Sequence, residues 1–530
     1  MRRRFAVVMG ILMILLALTA CSSKTETKPE PNTPATTDTK TEPKAEPKAD
    51  SKSVVPAAQP AQPAQPAQPQ GPAFTQEPTA YPGAKIQVDP GKGTVGTKVT
   101  ISGTGFPAGE EIDLHWKTFN GRWVLEEDEV VFVGPRYDAV FEKLPKAKSD
   151  GSGSFQLEYT IPEDFGGVHD VYASIKDKFA ARNAFNITPS FSVEPASGPI
   201  GTPVTIRAKG IGYRQQLAQW HVAWDNGYTG YMTAVNTRGS ATAYIRMAGP
   251  AGKHVLKIWR NYRGIPYLNP HQGPFGPLPE STFIMNVTEG VYKAPAIYAD
   301  PKPEDTVRPA PEAKSAGGAK LKVTPEKGTV GSKITLQGEG FSANQPVKLT
   351  WASRQGQQIT ATGLREGFEE KITELEAVTA GSDGKFTKEM TVFDDFEGNH
   401  RITAENGDKK AEAYYSIYAS IVEFPKTVKV GEEINIRMKG VGWNIQGKTY
   451  AIVYNNKYLG YGCSFSTRGD IDLRIPAAGG PGVHIIDLYP AVYEGKDPTP
   501  DVYSNANLTY RYDHPGSILP AFRLTLTVTE

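Results

Sequence analysis

Gly93-Thr94-Val95-Gly96-Thr97-Lys98-Val99-Thr100-Ile101, followed by Gly103-Thr104-Gly105-Phe106, has four copies in this sequence. The second is Gly201-Thr202-Pro203-Val204-Thr205-Ile206 with Gly210-Ile211-Gly212-Tyr213. The third is Gly328-Thr329-Val330-Gly331-Ser332-Lys333-Ile334-Thr335-Leu336 with Gly338-Glu339-Gly340-Phe341. The fourth is Gly431-Glu432-Glu433-Ile434-Asn435-Ile436 with Gly440-Val441-Gly442-Trp443. In each, apolar residues stand two apart (Val99 and Ile101, Val204 and Ile206, Ile334 and Leu336, Ile434 and Ile436), which is the period of a strand with one buried face. A repeat on this scale is one supersecondary unit used again along the chain. At 530 residues the chain is too long for one core, since a domain takes roughly 100–200 residues.

The copies fall into two pairs. Copies one and three share Gly96 and Gly331, and Trp116 and Trp351, both 235 residues apart. They also share a Ser-Asp-Gly turn before an aromatic, Ser149-Asp150-Gly151 before Phe155 and Ser382-Asp383-Gly384 before Phe386. Copies two and four share a different set. Trp224-Asp225-Asn226-Gly227-Tyr228 matches Tyr454-Asn455-Asn456-Lys457-Tyr458, and Thr237-Arg238-Gly239 matches Thr467-Arg468-Gly469. The order is therefore A-B-A-B, with A1 expected over 85–190, B1 over 191–289, A2 over 320–418 and B2 over 419–530. Residues 290–319, rich in Pro, Ala, Lys and Glu from Ala294 onward, are expected to be a linker. All four copies carry Gly-x-His, at His169, His254, His400 and His484.

With these motifs the folded part resembles tandem Ig-like domains of the IPT/TIG kind found in bacterial surface proteins. The resemblance is clearest in the A copies, and it implies β-sandwiches whose strands alternate apolar-in and polar-out. Short strands separated by regular turn signals lead to the same class without it. The expected fold is all-β, four tandem Ig-like β-sandwich domains after a disordered tether.

Arg2-Arg3-Arg4 and the apolar run Phe5 to Leu18 have the charge and length of a signal peptide over 1–20, too short for a confident membrane span. The run ends in Leu18-Thr19-Ala20-Cys21, which resembles the lipobox of bacterial lipoproteins. That resemblance implies a diacylglycerol on the Cys21 sulfur, cleavage before it, and a membrane partner held through the lipid. Ser22 follows, which in the Gram-negative scheme is compatible with outer-membrane sorting. The outer face of the cytoplasmic membrane and the outer membrane both stay open as locations in the cell envelope. Residues 21–84 are Thr, Lys, Glu and Pro followed by Ala-Gln-Pro repeats, too poor in apolar residues to form a core. As a tether they reach on the order of 200 Å at about 3.1 Å per residue.

Chemistry is harder to find. Net charge is +1, from 58 basic and 57 acidic residues, which gives no electrostatic case for nucleic acid. Gly96-Thr97-Lys98 and Gly331-Ser332-Lys333 are not followed by a helical pattern, as a phosphate loop requires. The four Gly-x-His histidines are one per domain and too far apart to share a metal; each is expected to start a late strand and bond across the sandwich edge. Asp150-Gly151-Ser152-Gly153-Ser154 reads as a β-turn ahead of a calcium loop. Acidic pairs such as Glu126-Glu127 and Asp394-Asp395 read as solvated loop charge. Cys463, the thiol left after lipidation, reads as a small packing residue. No catalytic constellation, cofactor or metal site is expected. Binding has the better case, in the long aromatic excursions of the B copies. Trp259, Tyr262, Tyr267, Tyr489 and Tyr493 lie in them, Tyr228 and Tyr458 follow an expected Asn226-Gly227 hairpin turn and its weaker Asn456-Lys457 match, and Arg238 and Arg468 stand at equal spacing. These nine are the candidate ligand residues, for a glycan or protein, against the alternative that the aromatics pack over the sandwich ends. The expected function is a non-enzymatic, surface-anchored scaffold or binding protein. The alternatives are an envelope polysaccharide-processing enzyme or an accessory subunit of an envelope complex.

Overall fold

In the strand Lys98–Thr104 burial alternates residue by residue, with Val99 and Ile101 inside. Pro203–Lys209, Lys333–Glu339 and Glu433–Lys439 repeat that pattern at its centre. The turn before each strand places one glycine in the left-handed region, Gly96, Gly201, Gly331 and Gly431 at φ of 83–88°. A side chain there would be strained. The structure, a computed structural model, describes residues 80–530 except 127–130, 215–217, 261–265, 267, 270–271, 273–278, 294–299, 361–362, 445–446, 448, 465–467, 493–504 and 517–518. The expected signal peptide, Cys21 and the tether before residue 80 lie outside the described residues.

The fold is all-β, built from four Ig-like sandwiches, and no α-helix occurs among the described residues. In A1 a three-stranded sheet (Lys85–Asp89, Lys98–Thr104, Phe155–Thr160) faces a larger one. The larger sheet runs in the order Lys92–Gly93, Lys178–Ile187, Gly167–Ile175, Glu111–Glu126, Val131–Lys143. B1, A2 and B2 repeat this order, including the parallel pairing of a short early strand with the last strand. A1, A2 and B2 each enclose a core of their own, whereas the core of B1 runs on into B2 through Tyr489, Ala506, Leu508 and Tyr510.

The four histidines do the same job in each sandwich. His169, His254, His400 and His484 stack on Trp116, Trp224, Trp351 and Tyr454, with ring centroids 4.8–5.5 Å apart. Their Nε2 atoms lie 2.6–2.9 Å from the carbonyl oxygens of Phe165, Pro250, Phe396 and Gly480, four residues earlier. Each histidine thus pins its own preceding turn to the central strand. The Asp150 turn closes on itself, Oδ1 accepting from the Ser152 hydroxyl (2.7 Å) and the N–H groups of Ser154 (2.9 Å) and Ser152 (2.8 Å); the hydroxyl bond first, then the two N–H bonds, hold the Asp150 carboxyl below its ordinary pKa.

The expectation for Asp394-Asp395 needs correcting. Asp395 is buried, and its carboxylate accepts from Trp351 Nε1 (2.8 Å), the Ser353 hydroxyl and the Phe396 N–H (2.9 Å). Asp164 does the same in A1, accepting from Trp116 Nε1 (2.7 Å), the Thr118 hydroxyl (2.6 Å) and the Phe165 N–H (2.8 Å). Both stand where A meets B. Gly166 N–H donates to Ile211 O (3.0 Å) and Glu397 N–H to Val441 O (3.3 Å), joining equivalent points of the two A-B pairs. Phe119 stacks on Tyr213 at 3.9 Å at the first joint, and Arg354 covers Trp443 at 5.1 Å at the second. The joint is duplicated along with the modules, so each A-B pair is docked in the same way. Removing one partner of a buried polar cluster strands the rest. Asp164→Ala is therefore expected to lower unfolding free energy by about 2–4 kcal/mol in urea denaturation, and Asp395→Ala by a similar amount.

Candidate functional site

The aromatic excursion of B2 leads back to B1. In the strand Gly227–Met232, an edge strand of B1, Tyr231 N–H donates to Ala506 O (2.9 Å) and its carbonyl accepts from Leu508 N–H (2.8 Å). Residues 506–508 of B2 thus add a short parallel segment to the B1 sheet. Past it, Asp513 is 1% exposed. Its carboxylate accepts from Val235 N–H (2.8 Å) and Asn236 N–H (2.9 Å) of B1, and from Trp123 Nε1 (2.9 Å) on the long hairpin of A1. Burial pushes its pKa up, and those donors oppose the shift. One side chain therefore connects A1, B1 and B2.

A second polar cluster lies across the same interface. Asp487 is compensated by charge, 2.6 Å from Arg246 Nη2 and 3.4 Å from Arg523 Nη1, without aligned hydrogen bonds. Arg246 also donates to Leu524 O (2.8 Å), Ile486 O (3.2 Å) and Thr525 Oγ1 (3.1 Å) of B2. Arg523 donates to Tyr489 OH (2.7 Å) and pairs with Asp300, which also receives the Tyr510 hydroxyl. The expected linker therefore contributes Asp300 to the interface, and its Ser315–Ala316 pairs with Lys410 and Ala411 of A2.

The structure separates the nine candidate ligand residues. Tyr489 is 0% exposed and donates its hydroxyl to Tyr244 O at 2.9 Å, inside the B1-B2 interface rather than on a surface. Trp259 is 5% exposed, edge-on to His221 at 5.7 Å. Tyr228 and Tyr458 are half-buried and meet each other across the interface, ring centroids 6.1 Å apart. Arg238, in a left-handed turn, pairs with Glu142 (2.8 Å) and lies 3.6 Å from Asp164, so it closes the A1-B1 joint. Arg468 is half-buried at the equivalent turn of B2. Tyr262, Tyr267 and Tyr493 lie outside the described residues. The hairpin turns sit one residue earlier than expected. Asp225-Asn226 and Asn455-Asn456 take positive φ at both positions, which Asp and Asn tolerate because their short side chains bond locally. Asp225 accepts from Val255 N–H (2.9 Å) and Asn455 from Ile485 N–H (3.0 Å). Cys463 is half-buried beside the Thr449 hydroxyl at 3.2 Å.

Where B1 meets B2 the packing leaves a cleft of about 650 Å³. Its two walls are equivalent pieces of the repeat, Gly249-Pro250-Ala251 with His254 and Gly479-Gly480-Pro481 with His484. Glu289, Val291 and Lys457 are exposed on its lining, and Trp224 stands at its base. Asp225 also lines it, with one carboxylate oxygen 2.5 Å from His254 Nδ1 and the other bonded to Val255 N–H. Among the described residues no group of three or more His, Cys, Asp and Glu side chains is arranged to hold a metal ion. Sequence reasoning did not single out Asp164, Asp487 or Asp513. Asp164 and Asp395 could have been found, since each precedes its Gly-x-His histidine by five residues; Asp513 has no such repeat partner.

Neither protein-family models nor curated proteins match the sequence. Among solved structures the chain is similar to Salmonella alpha-2-macroglobulin at 10% identity and a TM-score of 0.16, over 84% of this chain and 31% of that chain. It is similar to invasin, a bacterial integrin-binding protein, at 14% identity and a TM-score of 0.18, over 77% of this chain and 76% of that chain. A membrane anchored protein from Corynebacterium diphtheriae matches at 11% identity and a TM-score of 0.16, over 63% of this chain and 89% of that one. The chain spans less than half the length of the macroglobulin chains it matches. The fold assignment rests on the sheets themselves.

Two predictions concern the interface. Asp513→Ala leaves three N–H donors without their acceptor, so amide exchange at Val235 and Asn236 is expected to speed up at least about tenfold, the equivalent of about 1.4 kcal/mol. His221 is fully buried against Tyr228 and Trp259, and burial pushes its pKa down to about 3. A depressed histidine pKa means the unfolded chain binds the proton first. Its contribution is complete above about pH 6.5 and is lost as pH falls toward 3, at on the order of 1.4 kcal/mol per pH unit. Thermal unfolding should therefore show a fall in Tm between pH 7 and 4.5 that is shallower in His221→Leu.

Proposed function

We propose that the protein is a non-enzymatic lipoprotein of the cell envelope, with tandem Ig-like domains of the IPT/TIG kind, that serves as a preassembled binding platform. A lipid on Cys21 holds it to the membrane, residues 21–84 hold the folded part clear of it, and the B1-B2 cleft receives a glycan or protein. The observation that carries this reading is the use of the B2 excursion as mortar, through Ala506, Leu508 and Asp513. Contacts that fix the modules keep the cleft walls in one relative position before any ligand arrives, which lowers the ordering cost of binding. The duplicated A-B joints support the same role.

The lipobox and the single basic-apolar leader support the anchor, and composition supports the tether. Two lipid chains give a stable anchor where one does not, at about 0.8 kcal/mol per buried methylene. The enzyme reading has its carboxylates Asp225 and Glu289 on the cleft lining, yet Asp225 is already committed to His254 and Val255.

Cys21→Ser is expected to move the protein from the membrane to the soluble fraction and to abolish incorporation of an alkyne fatty acid; retention on the membrane would remove the anchor from the proposal. The Cys21→Ser chain, screened on glycan arrays and in pull-downs from envelope extracts, is expected to retain a ligand. Lys457→Glu with Val291→Asp should weaken that binding at least about tenfold, or about 1.4 kcal/mol. No ligand in either screen would leave a purely structural role.

A further inference from the structure

The two A-B joints are duplicates that differ in one pocket. At the first joint a cavity of about 220 Å³ opens between the end of the B1 sandwich and A1, lined by Gly166, Gly210, Gly212, Trp220, Arg260 and Pro279 among others. Trp220 and Arg260 are directly opposite each other on neighbouring strands, so their side chains leave the same face of the sheet. Trp220 is 2% exposed and its indole Nε1–H has no hydrogen-bond partner. Arg260 is half-buried, its Nε–H has no partner, and burial lowers its pKa. No described residue forms an ion pair with Arg260. A desolvated cation and a buried donor lining one cavity, with no acceptor for Arg260 Nε or Trp220 Nε1 among the described residues, is a costly arrangement for a fold to keep without a use.

The second joint shows what is missing. By the spacing of the repeat, Glu397 stands for Gly166, Tyr450 for Trp220 and Pro490 for Arg260. Tyr450 and Pro490 are again directly opposite each other, and Glu397 N–H makes the same bond to B2 that Gly166 N–H makes to B1. Burial raises the pKa of Tyr450 and the nearby Glu397 carboxyl adds to it, while the Glu397 pKa is itself pushed up to about 8 by desolvation. At these three equivalent positions the second joint therefore carries a carboxyl, Glu397, and no cation, while the first carries a cation, Arg260, and no carboxyl. Gly166 cannot be extended to supply one, because a Cβ there would stand 1.9 Å from Gly210 O.

We propose that the pocket at the A1-B1 joint is a binding site for the carboxylate of a small ligand, with the Arg260 guanidinium and the Trp220 Nε1–H as its donors. The site is independent of the B1-B2 cleft and shares none of its lining residues. An ionised acceptor strengthens both bonds relative to neutral ones, and a bound carboxylate supplies the charge that Arg260 lacks. Occupancy also ties B1 to A1, since Gly166, Gly167 and 186–189 form the opposite wall.

The full chain labelled with 5-fluorotryptophan provides the test, its Trp220 ¹⁹F line assigned by loss of that line in Trp220→Phe. Sodium acetate and sodium glucuronate are titrated at constant ionic strength against chloride, with sodium phosphate as a separate arm. A saturable shift of the Trp220 line with a carboxylate is expected, weakened at least tenfold in Arg260→Met. Arg260→Lys keeps the charge but loses the planar fork, and should show an intermediate, still saturable response; it serves as the readout if the methionine variant unfolds. No saturable shift with any anion, or a shift unchanged in both variants, overturns the site. Saturation by phosphate alone overturns the assignment to a carboxylate.

Discussion

Asp513 carries its carboxyl group into a place where water does not reach, and three N–H donors from two other modules meet it there. The physics of that carboxylate governs how A1, B1 and B2 sit together. Separating the modules would return Trp123, Val235 and Asn236 to water only by disassembling the packing of Leu508 and Tyr510 as well. A buried polar group is strongly directional in a way an apolar contact is not. Apolar burial drives the modules together, and the carboxylate selects one arrangement among those that burial would allow. The Asp487 cluster acts in the same sense across the B1-B2 interface, with two arginines sharing one carboxylate.

The joints and the interface divide the work differently. Each A-B joint repeats one device, a carboxylate clamped by a tryptophan and a hydroxyl, and so was inherited with the module. The B1-B2 interface has no second copy of itself in the chain. Its residues differ at equivalent positions: Arg246 in B1 corresponds to Pro476 in B2, and Asp487 in B2 to Lys257 in B1. Duplication supplied the parts, and divergence at a few positions made two B modules complementary instead of identical. The unequal pockets at the two joints, one with Arg260 and one with Glu397, follow the same pattern of divergence.

The sheets were legible because local period fixes them: Val99 and Ile101 alternate with polar residues, and the structure buries them in that order. The histidines were legible as one per sandwich at one place in the repeat, but the expectation that they stay apart did not foresee His254 and His484 on the two walls of one cleft. The aromatic excursions were not. Tyr489 and Trp259 look alike in sequence to any exposed aromatic on a long loop, and contacts distant in sequence accompany their burial, Tyr489 with Tyr244, 245 positions away, and Trp259 with His221 on the neighbouring strand. The Asn226-Gly227 expectation missed by one residue because both Asp225 and Asn226 accept a left-handed backbone, and the bond from Val255 N–H to Asp225 settles the register. Asp395 was misread as solvated because its partner Trp351 lies 44 residues back.

The pairing of Tyr231 with residues 506–508 also bears on the order in which the chain can finish folding. Synthesis runs from the N-terminus, so the edge strand Gly227–Met232 exists long before the segment that covers it. Until residues 506–508 have been made, B1 presents an uncovered sheet edge, with Tyr231 and Thr229 still to be buried. Open edges of this kind invite pairing with whatever strand is near, including another nascent copy. B2 therefore acts for B1 as a late-arriving chaperone in cis, and a chain cut short before residue 506 would carry a permanently open edge.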